Sequence, residues 1–507
     1  MSKDIFDNHR PQWKTHIGFL LAAIGSAIGL GNIWRFPYLC YKNGGGAFLV
    51  PYILALLIIG IPFMILELGI GHKMRGSAPA SFARLNGRWE WLGWWQIIFV
   101  MFGVVLYYSV IIAWCLNYLV FSFGMDWGTD TNQFLFDKFL MITDSPFEIG
   151  NVRSPVLFSL CVVWFLNWLI VFRGVEHGLE RANKIFMPML FVLVLVLVGW
   201  SVTLPGAYEG ISVYLKPDFE RLRDVRVWID AVAQIFFTLS IGFGIMIAYA
   251  SYLPEKTQIV KDSITIAIAN SCFSIIAGLG VFSVVGYMAH KLSIPVDEVV
   301  DKSIGLAFVV FPKAIGMLPG FSGLFGALFF ICLVIAGLSS SVSIIEAFAS
   351  GIIDKFHYPR KVVVSVLAVA GLTGSIIFTT QGGLFWIDIV DHFLTQYGLV
   401  TAGILECILV AWVCKASDLR EYINRFCVLR LHSVWDYAVR FLVPFALIVI
   451  LTNSIIKELA TPYEGYPWLA IVLIGRDWLL LTLFFALIVA SRPWKEKGQK
   501  PNPKIYG

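Results

Sequence analysis

The chain has 507 residues, of which 58% are hydrophobic and 14% charged, and a formal net charge of +5. A soluble domain carries about 25% charged residues, so this composition excludes an ordinary soluble globular protein. The small positive excess is not a nucleic-acid signal; its distribution along the chain is a signal of membrane topology.

A bilayer core about 30 Å thick is crossed by a helix of ~20 apolar residues. In chain order, runs of that length lie near 16–40, 46–72, 93–122, 154–173, 183–203, 228–253, 262–289, 322–350, 360–379, 386–414, 436–456 and 468–491. They predict an all-α integral membrane protein of about twelve transmembrane helices, one domain with no low-complexity linker. The longest loops on the outer side fall near 124–153, 205–227 and 290–321, and the last two carry amphipathic patches, such as Val299 to Phe311, suited to short surface helices. The polar start, MSKDIFDNHRPQWK, and the length of the first apolar run speak against a cleavable signal peptide.

With the N-terminus inside, the segments on that face hold roughly 24 of the 38 Lys and Arg residues, as the positive-inside rule requires. They include Arg84, Arg173, Arg360, Arg430 and the tail from Arg492 to Lys504, whereas Asp126, Asp130, Asp137 and Asp144 fall outside. Both termini are then cytoplasmic. The eight cysteines lie in spans or on the inner face, so no disulfide framework is indicated. No Asn-X-Ser/Thr sequon occurs, which fits a prokaryotic plasma (inner) membrane.

Two runs are interrupted. The first reads AAIGSAIGLGNIWRFPY, with Gly25, Gly29, Gly31 and Pro37; the sixth reads FFTLSIGFGIMIAYASY, with Gly242 and Gly244. Glycine costs a helix about 1 kcal/mol relative to alanine, and backbone that leaves the helix in hydrocarbon must find partners in protein or a cavity. First and sixth are corresponding places if spans 1–5 and 6–10 are repeats, the pattern of a secondary-transporter binding site. Close helix packing through small residues is the competing explanation; the adjacent polar residues Asn32, Arg35, Thr238 and Ser240 favour a site.

Charges within spans are costly and need a partner or a role. Arg35, near the outer end of the first span, is expected to pair with Asp388 or Asp391 of the tenth, as an outer gate or a static ion pair. Glu67, in FMILELGIG, sits where a carboxylate can accept from N–H groups freed by broken helices; a protonated, buried acid without such partners is the alternative. Sodium prefers hard oxygen ligands. Ser339, Ser340 and the Ala336 carbonyl in AGLSSSVSIIEAF offer three on one turn, although a serine run also serves backbone hydrogen bonding. Asn32, Thr238 and Asn270 are neutral oxygen donors on three further spans.

The sequence is similar to the neurotransmitter:sodium symporter family, whose bacterial type is the leucine transporter. The motifs are GLGNIWRFPYLCYKNGGGAFLVPY at 29–52, YYS at 107–109, TLSIGFG at 238–244 and AGLSSS at 336–341, and the likeness covers nearly the whole chain. It implies two five-helix repeats of inverted topology at 16–203 and 228–414 with unwound helices 1 and 6. Two peripheral helices at 436–491 and a cytoplasmic tail at 492–507 follow. It also implies a sodium-coupled symporter importing a small zwitterionic neutral amino acid by alternating access, as a monomer or weak oligomer in the lipid bilayer. No nucleic-acid partner is expected. An enzyme is not expected either, since HExxH, GxSxG and clustered His/Cys sets are missing from the sequence. A sensor or substrate-gated channel on the same fold, and proton coupling, are the alternatives.

The resemblance assigns roles residue by residue. The first sodium site takes the Ala27 carbonyl, Asn32, Thr238, Asn270 and the substrate carboxylate; the second takes carbonyls of Gly25, Ile28 and Ala336 with hydroxyls of Ser339 and Ser340. The substrate carboxylate meets the N–H groups of Leu30 and Gly31 and the Tyr108 hydroxyl, and its amine meets carbonyls around Phe237 and Thr238. The substrate side chain lies among Ile28, Val104, Ser240, Phe243, Ser341 and Ile344, under Phe237 as a lid. Arg35 and Asp391 form the outer gate; Arg10, Trp13, Tyr252 and Asp354 close the cytoplasmic side. Monoamine members carry aspartate where Gly29 stands, so glycine implies a substrate that brings its own carboxylate. Many bacterial members carry an acid where Ser274 stands; serine there implies chloride bound by Tyr52, Gln234, Thr238 and Ser274, since two sodium ions need a second negative charge. Ser26 stands where the leucine transporter has asparagine.

Overall fold

The computed structural model describes residues 10–299 and 303–495. Residues 1–9, positions 300–302 of the amphipathic patch and the basic tail from 496 lie outside the described residues. Among the described residues the fold is helical, with only an isolated bridge between Val152 and Thr380.

The first expected span is a bent pair, α1 (His16–Ala27) and α2 (Leu30–Lys42), turned by 68° at the break. Then come α3 (Gly45–Met74), α4 (Gly87–Gly124), α5 (Ser154–Phe172) and α6 (Val175–Ser201). The sixth span is also broken, into α7 (Val225–Thr238) and α8 (Ile245–Ala250). The chain continues through α9 (Ile259–Leu292), α10 (Ser322–Phe356), α11 (Arg360–Thr379), α12 (Gly383–Val413), α13 (Ser433–Gly465) and α14 (Trp468–Ser491). Among the described residues ten helices are thus long and apolar enough to cross a membrane unbroken, and the two expected spans that carry the glycine clusters are those that break. Helices α4, α9 and α10 exceed their apolar runs. α9 has 34 residues, about 51 Å at 1.5 Å per residue, so it projects beyond the hydrocarbon.

Burial sorts the bundle. The central windows of α4 and α10 are 89% and 83% buried, those of α6, α13 and α14 only 28%. Helices α4 and α10 pack along one another at the centre. The peripheral helices carry exposed large apolar side chains such as Phe445 and Phe484, which a hydrocarbon solvent accepts without penalty.

At the end of the bundle where α1 starts, Lys355 of α10 is buried. Its Nζ donates to Glu90 Oε1 of α4 at 2.5 Å and to the Val489 carbonyl of α14 at 2.7 Å, while Trp494 Nε1 donates to Glu90 Oε2 at 2.9 Å. Removing one partner of such a pair leaves an uncompensated charge and costs about 3–5 kcal/mol, whereas replacing both by apolar groups is often neutral. Lys355→Met is therefore expected to lower the thermal unfolding midpoint of the detergent-purified protein clearly, and Glu90→Leu/Lys355→Met to recover most of the loss. Equal midpoints for Lys355→Met and the parent would show that the pair does not hold the three helices together.

Candidate functional site

The breaks in the two spans create the site. Helix α1 starts on Thr15, whose side chain accepts from the Gly18 N–H at 3.1 Å, and stops where Ile28 turns extended (φ −78°, ψ 105°). In a continued helix the N–H groups of Gly29 and Leu30 would serve the Gly25 and Ser26 carbonyls. Instead Gly29 N–H donates to Asn32 Oδ1 at 2.9 Å and Leu30 N–H to the Tyr108 hydroxyl at 3.1 Å. Those carbonyls are freed for other partners: Ser26 O accepts from Ser240 Oγ at 2.9 Å and Ser340 Oγ at 3.3 Å. Between α7 and α8 the chain passes through left-handed conformations at Ser240, Gly242 and Gly244. Glu67 of α3, fully buried, accepts from the Gly242 N–H at 3.2 Å, the role expected of it.

A cavity of about 320 Å³ opens at the junction. Its base is formed by Ser26, Ala27, Gly29, Leu30 and Gly31 with Thr238, Ser240 and Ser340; Val104, Tyr108, Phe243 and Ile344 wall it, and Phe237 lies across it. The three serines make it more polar than the apolar residues alone suggest. Two expected wall residues are not in the lining. Ile28 is buried behind it, contributing a carbonyl 3.4 Å from Ser340 Oγ. Ser341 points away, its hydroxyl donating to Asn167 Oδ1 of α5 at 2.7 Å, because one residue along a helix turns the side chain by about 100° from its neighbour Ser340. Tyr107, Ile111, Gln396 and Tyr463 also line the cavity. Ile111 follows Val104 by two helical turns, a spacing visible in the sequence. Tyr463, from the far end of the chain, carries no such signal.

The oxygen-bearing residues fall into two groups. Asn32 Nδ2, with two hydrogens to give, lies within hydrogen-bond reach of Thr238 Oγ1 at 3.0 Å, Asn270 Oδ1 at 2.8 Å and Ser274 Oγ at 2.8 Å, so α2, α7 and α9 meet there. On the other side of the break, Ser339 Oγ and Ser340 Oγ lie 2.9 and 3.2 Å from the Ala336 carbonyl, with the Ile28 carbonyl adjacent. Gly25, with its freed carbonyl, faces Asn183 and Met187 of α6. Beside the first group, Tyr52 donates to Ser271 Oγ at 3.1 Å and Ser274 to the Asn270 carbonyl at 3.1 Å. Gln234 is fully buried, and neither its amide oxygen nor its amide nitrogen has a partner among the described residues. Buried polar groups without partners cost about 1–3 kcal/mol each.

The two ends of the cavity differ. On the face where α1 starts, Arg10 pairs with Asp354 at 2.9 Å and lies 5.0 Å over the Tyr252 ring. Trp13 donates its backbone N–H to Tyr252 O at 3.1 Å and its indole N–H to Tyr249 O at 2.9 Å. The structure brings these four residues together. On the opposite face the expected Arg35–Asp391 pair is not made. The Arg35 guanidinium lies 4.8 Å over the Phe237 ring, and Asp391 accepts from the Tyr107 hydroxyl. Asp388 is taken by Tyr463 at 3.0 Å and Tyr466 at 2.9 Å. Each carboxylate has a phenol donor in place of the arginine, and the cavity continues past Asp391, His392 and Tyr463.

Comparison with known proteins agrees with this geometry. A family profile described as the sodium:neurotransmitter symporter family matches residues 10–136 and 126–494. A sodium-dependent transporter of uncharacterised specificity from Methanocaldococcus jannaschii is 45% identical over 486 residues, covering 96% of this chain and 98% of the relative. The sodium- and chloride-dependent GABA transporter 2 of Rattus norvegicus is 32% identical, covering 97% and 87%. The sodium-dependent dopamine transporter of Caenorhabditis elegans is 30% identical, covering 91% and 83%. This multi-pass membrane chain belongs to the sodium:neurotransmitter symporter family, a family of transporters and not of enzymes.

Proposed function

We propose that this transporter imports a neutral amino acid together with two sodium ions, and that chloride supplies a second negative charge. The observation that carries the substrate class is the environment of Gly29. A Cβ there would stand 3.0 Å from the Tyr108 hydroxyl and 3.2 Å from Ser340 Oγ, so this position adds no charge of its own. The N-terminus of α2 and the Tyr108 hydroxyl line the same cavity as Thr238 and Asn32. A helix N-terminus favours an anion, so a substrate carboxylate fits at Leu30 and Gly31. Swaps of one methylene shift such a pocket's preference by only about 1–3 kcal/mol, so the choice of side chain is left to experiment.

Sodium is cargo here. The Ala27 carbonyl, Asn32, Thr238 and Asn270 are the ligands proposed for one ion, and the Gly25, Ile28 and Ala336 carbonyls with Ser339 and Ser340 for the other. Support comes from their chemistry: neutral, hard oxygens suit a monovalent cation that must also leave. Chloride is assigned to Tyr52, Gln234, Thr238 and Ser274, and the unpartnered, buried Gln234 amide supports it. Two sodium ions, one chloride and a zwitterion carry one net charge. At 100 mV that charge is worth ~2.3 kcal/mol, and two tenfold sodium gradients add ~2.8 kcal/mol. Together they sustain a concentration ratio on the order of several thousand.

The membrane is taken to be a prokaryotic plasma membrane with both termini cytoplasmic. The closed face at Arg10 and Asp354 is then the cytoplasmic one, and the conformation is open toward the outside. Alternating access follows if sodium and substrate bind one facing better than the other.

Radiolabelled amino acids, GABA included, should bind purified protein in sodium chloride, bind more weakly in sodium gluconate and fail to bind in choline chloride. Ser274→Glu should bind equally in chloride and gluconate, because the carboxylate replaces the anion. Full parental binding in gluconate would remove the chloride assignment and leave the sodium symporter standing. For the inner closure, Asp354→Ala strands Arg10, and amide exchange in α1 should quicken by about tenfold or more. Unchanged exchange in α1 would mean that the Arg10–Asp354 pair does not hold this face shut.

A further inference from the structure

Two acids in the middle of the bundle have no cation. Glu67 of α3 and Glu406 of α12 are fully buried, and among the described residues neither pairs with a lysine, arginine or histidine. Glu67 Oε1 accepts from the Gly242 N–H at 3.2 Å, and Glu406 Oε2 accepts from Gln96 Nε2 of α4 at 2.7 Å. Their other oxygens, Glu67 Oε2 and Glu406 Oε1, have no partner among the described residues, and neither has Gln96 Oε1.

The Phe236 ring brings the two acids together. It lies 5.0 Å from the ring of Phe63, about one turn before Glu67 on α3. It also packs where a Cβ on Gly242 or on Gly403 would stand, and Gly403 is about one turn before Glu406 on α12. As second and tenth spans, α3 and α12 cross in the same direction, so each acid stands about one turn past the same ring. Glu406 is near enough for its charge to act on Glu67. The surrounding elements bring no compensating charge. On α12 the titratable neighbour is the Cys407 thiol. From α13, Leu447 packs at Gly403, while Arg440 lies over the Trp412 and Phe441 rings. Further along α3, His72 bonds the Pro254 carbonyl, and on α4 Glu90 is taken by Lys355.

Two carboxylates that share a buried site without a cation do not both ionise, and buried acceptors without donors lack hydrogen. A carboxyl proton meets both needs, since it removes one charge and turns an acceptor into a donor. We propose that Glu67 and Glu406 form a proton-binding site behind the turn between α7 and α8, and that the bound proton holds this turn in the shape that builds the substrate cavity. The connection is short: Gly242, held by Glu67, lies in the same break as Ser240, which lines the cavity beside Thr238. Without the proton two anions stand behind the turn and repel. Because a proton is lost as pH rises, the turn is held on the acid side and released on the alkaline side. Glutamine in place of either acid imitates its protonated form, being neutral, of the same shape and able to donate. The site itself is independent of what is carried; its effect on binding rests on the amino-acid reading above.

Two measurements on the purified protein test the proposal. Infrared spectroscopy at neutral pH reads a protonated carboxyl by a carbonyl stretch that carboxylates and amides lack. The parent should absorb there more strongly than Glu67→Gln/Glu406→Gln, and equal absorption would overturn the proton site. The second measurement is sodium-dependent binding of a radiolabelled mixture of the protein amino acids. Between neutral pH and about pH 10 it should weaken at least about tenfold in the parent and less than about threefold in Glu406→Gln. Cys407→Ser should follow the parent, which separates the carboxyl from the thiol beside it. A flat parental profile, or a fall in Glu406→Gln as steep as the parent's, would overturn the control of the turn by the proton. Absence of binding to the parent at every pH would instead overturn the amino-acid reading, and the infrared comparison alone would then decide the proton site.

Discussion

The architecture depends on one constraint: inside a bilayer every backbone N–H and C=O must find its partner within the protein. Most of this chain meets the demand with long unbroken helices. At two places it does not, and the consequences set everything that follows. The break after Ala27 hands the Gly29 and Leu30 N–H groups to Asn32 and Tyr108 and turns the Ser26 carbonyl over to the Ser240 and Ser340 hydroxyls. The break after Thr238 leaves an N–H at Gly242 that Glu67 accepts. A buried carboxylate is expensive, and its position on α3 makes sense only because broken backbone needs an acceptor there.

The same breaks concentrate oxygen where the cavity lies. Asn32 gathers Thr238, Asn270 and Ser274 from two other spans, while the serines of α10 approach the end of α1. These groups are neutral, and that bears on transport. A charged ligand would bind a cation more firmly, but every ion admitted must also be released. Neutral ligands leave charge balance to mobile species, which is why chloride and the substrate's own carboxylate enter the proposed scheme.

The two ends of the cavity are held by different physics. Where α1 starts, an ion pair and hydrogen bonds act together: Arg10 with Asp354, Trp13 with the backbone of Tyr249 and Tyr252. On the opposite face Arg35 and Asp391 are both present but occupied elsewhere, with Phe237 and Tyr107. In the proposed cycle, that face would close by an exchange of these partners.

Much of this was legible in the residues. The apolar runs located the spans. Glycines clustered beside polar residues, Gly25, Gly29 and Gly31 in one run and Gly242 and Gly244 in the other, marked the breaks, whereas scattered glycines such as Gly278 and Gly337 stand in unbroken helices. Polar residues that hydrocarbon does not tolerate singled out Asn32, Glu67, Thr238 and Asn270. These are properties of composition and local period, and a sequence carries them directly. Which serine of α10 faces the cavity was not legible. Ser340 lines it and Ser341 serves Asn167, a difference set by how α10 is rotated against α1 and α5. That Arg35 lies over Phe237 instead of pairing with Asp391, and that Tyr463 joins the cavity from the end of α13, also required the packed bundle. The sequence by itself determined which groups need partners, because that need is intrinsic to each side chain and to broken backbone. Only the tertiary structure decided which partners they found, because that depends on the rotation and spacing of helices far apart in the chain.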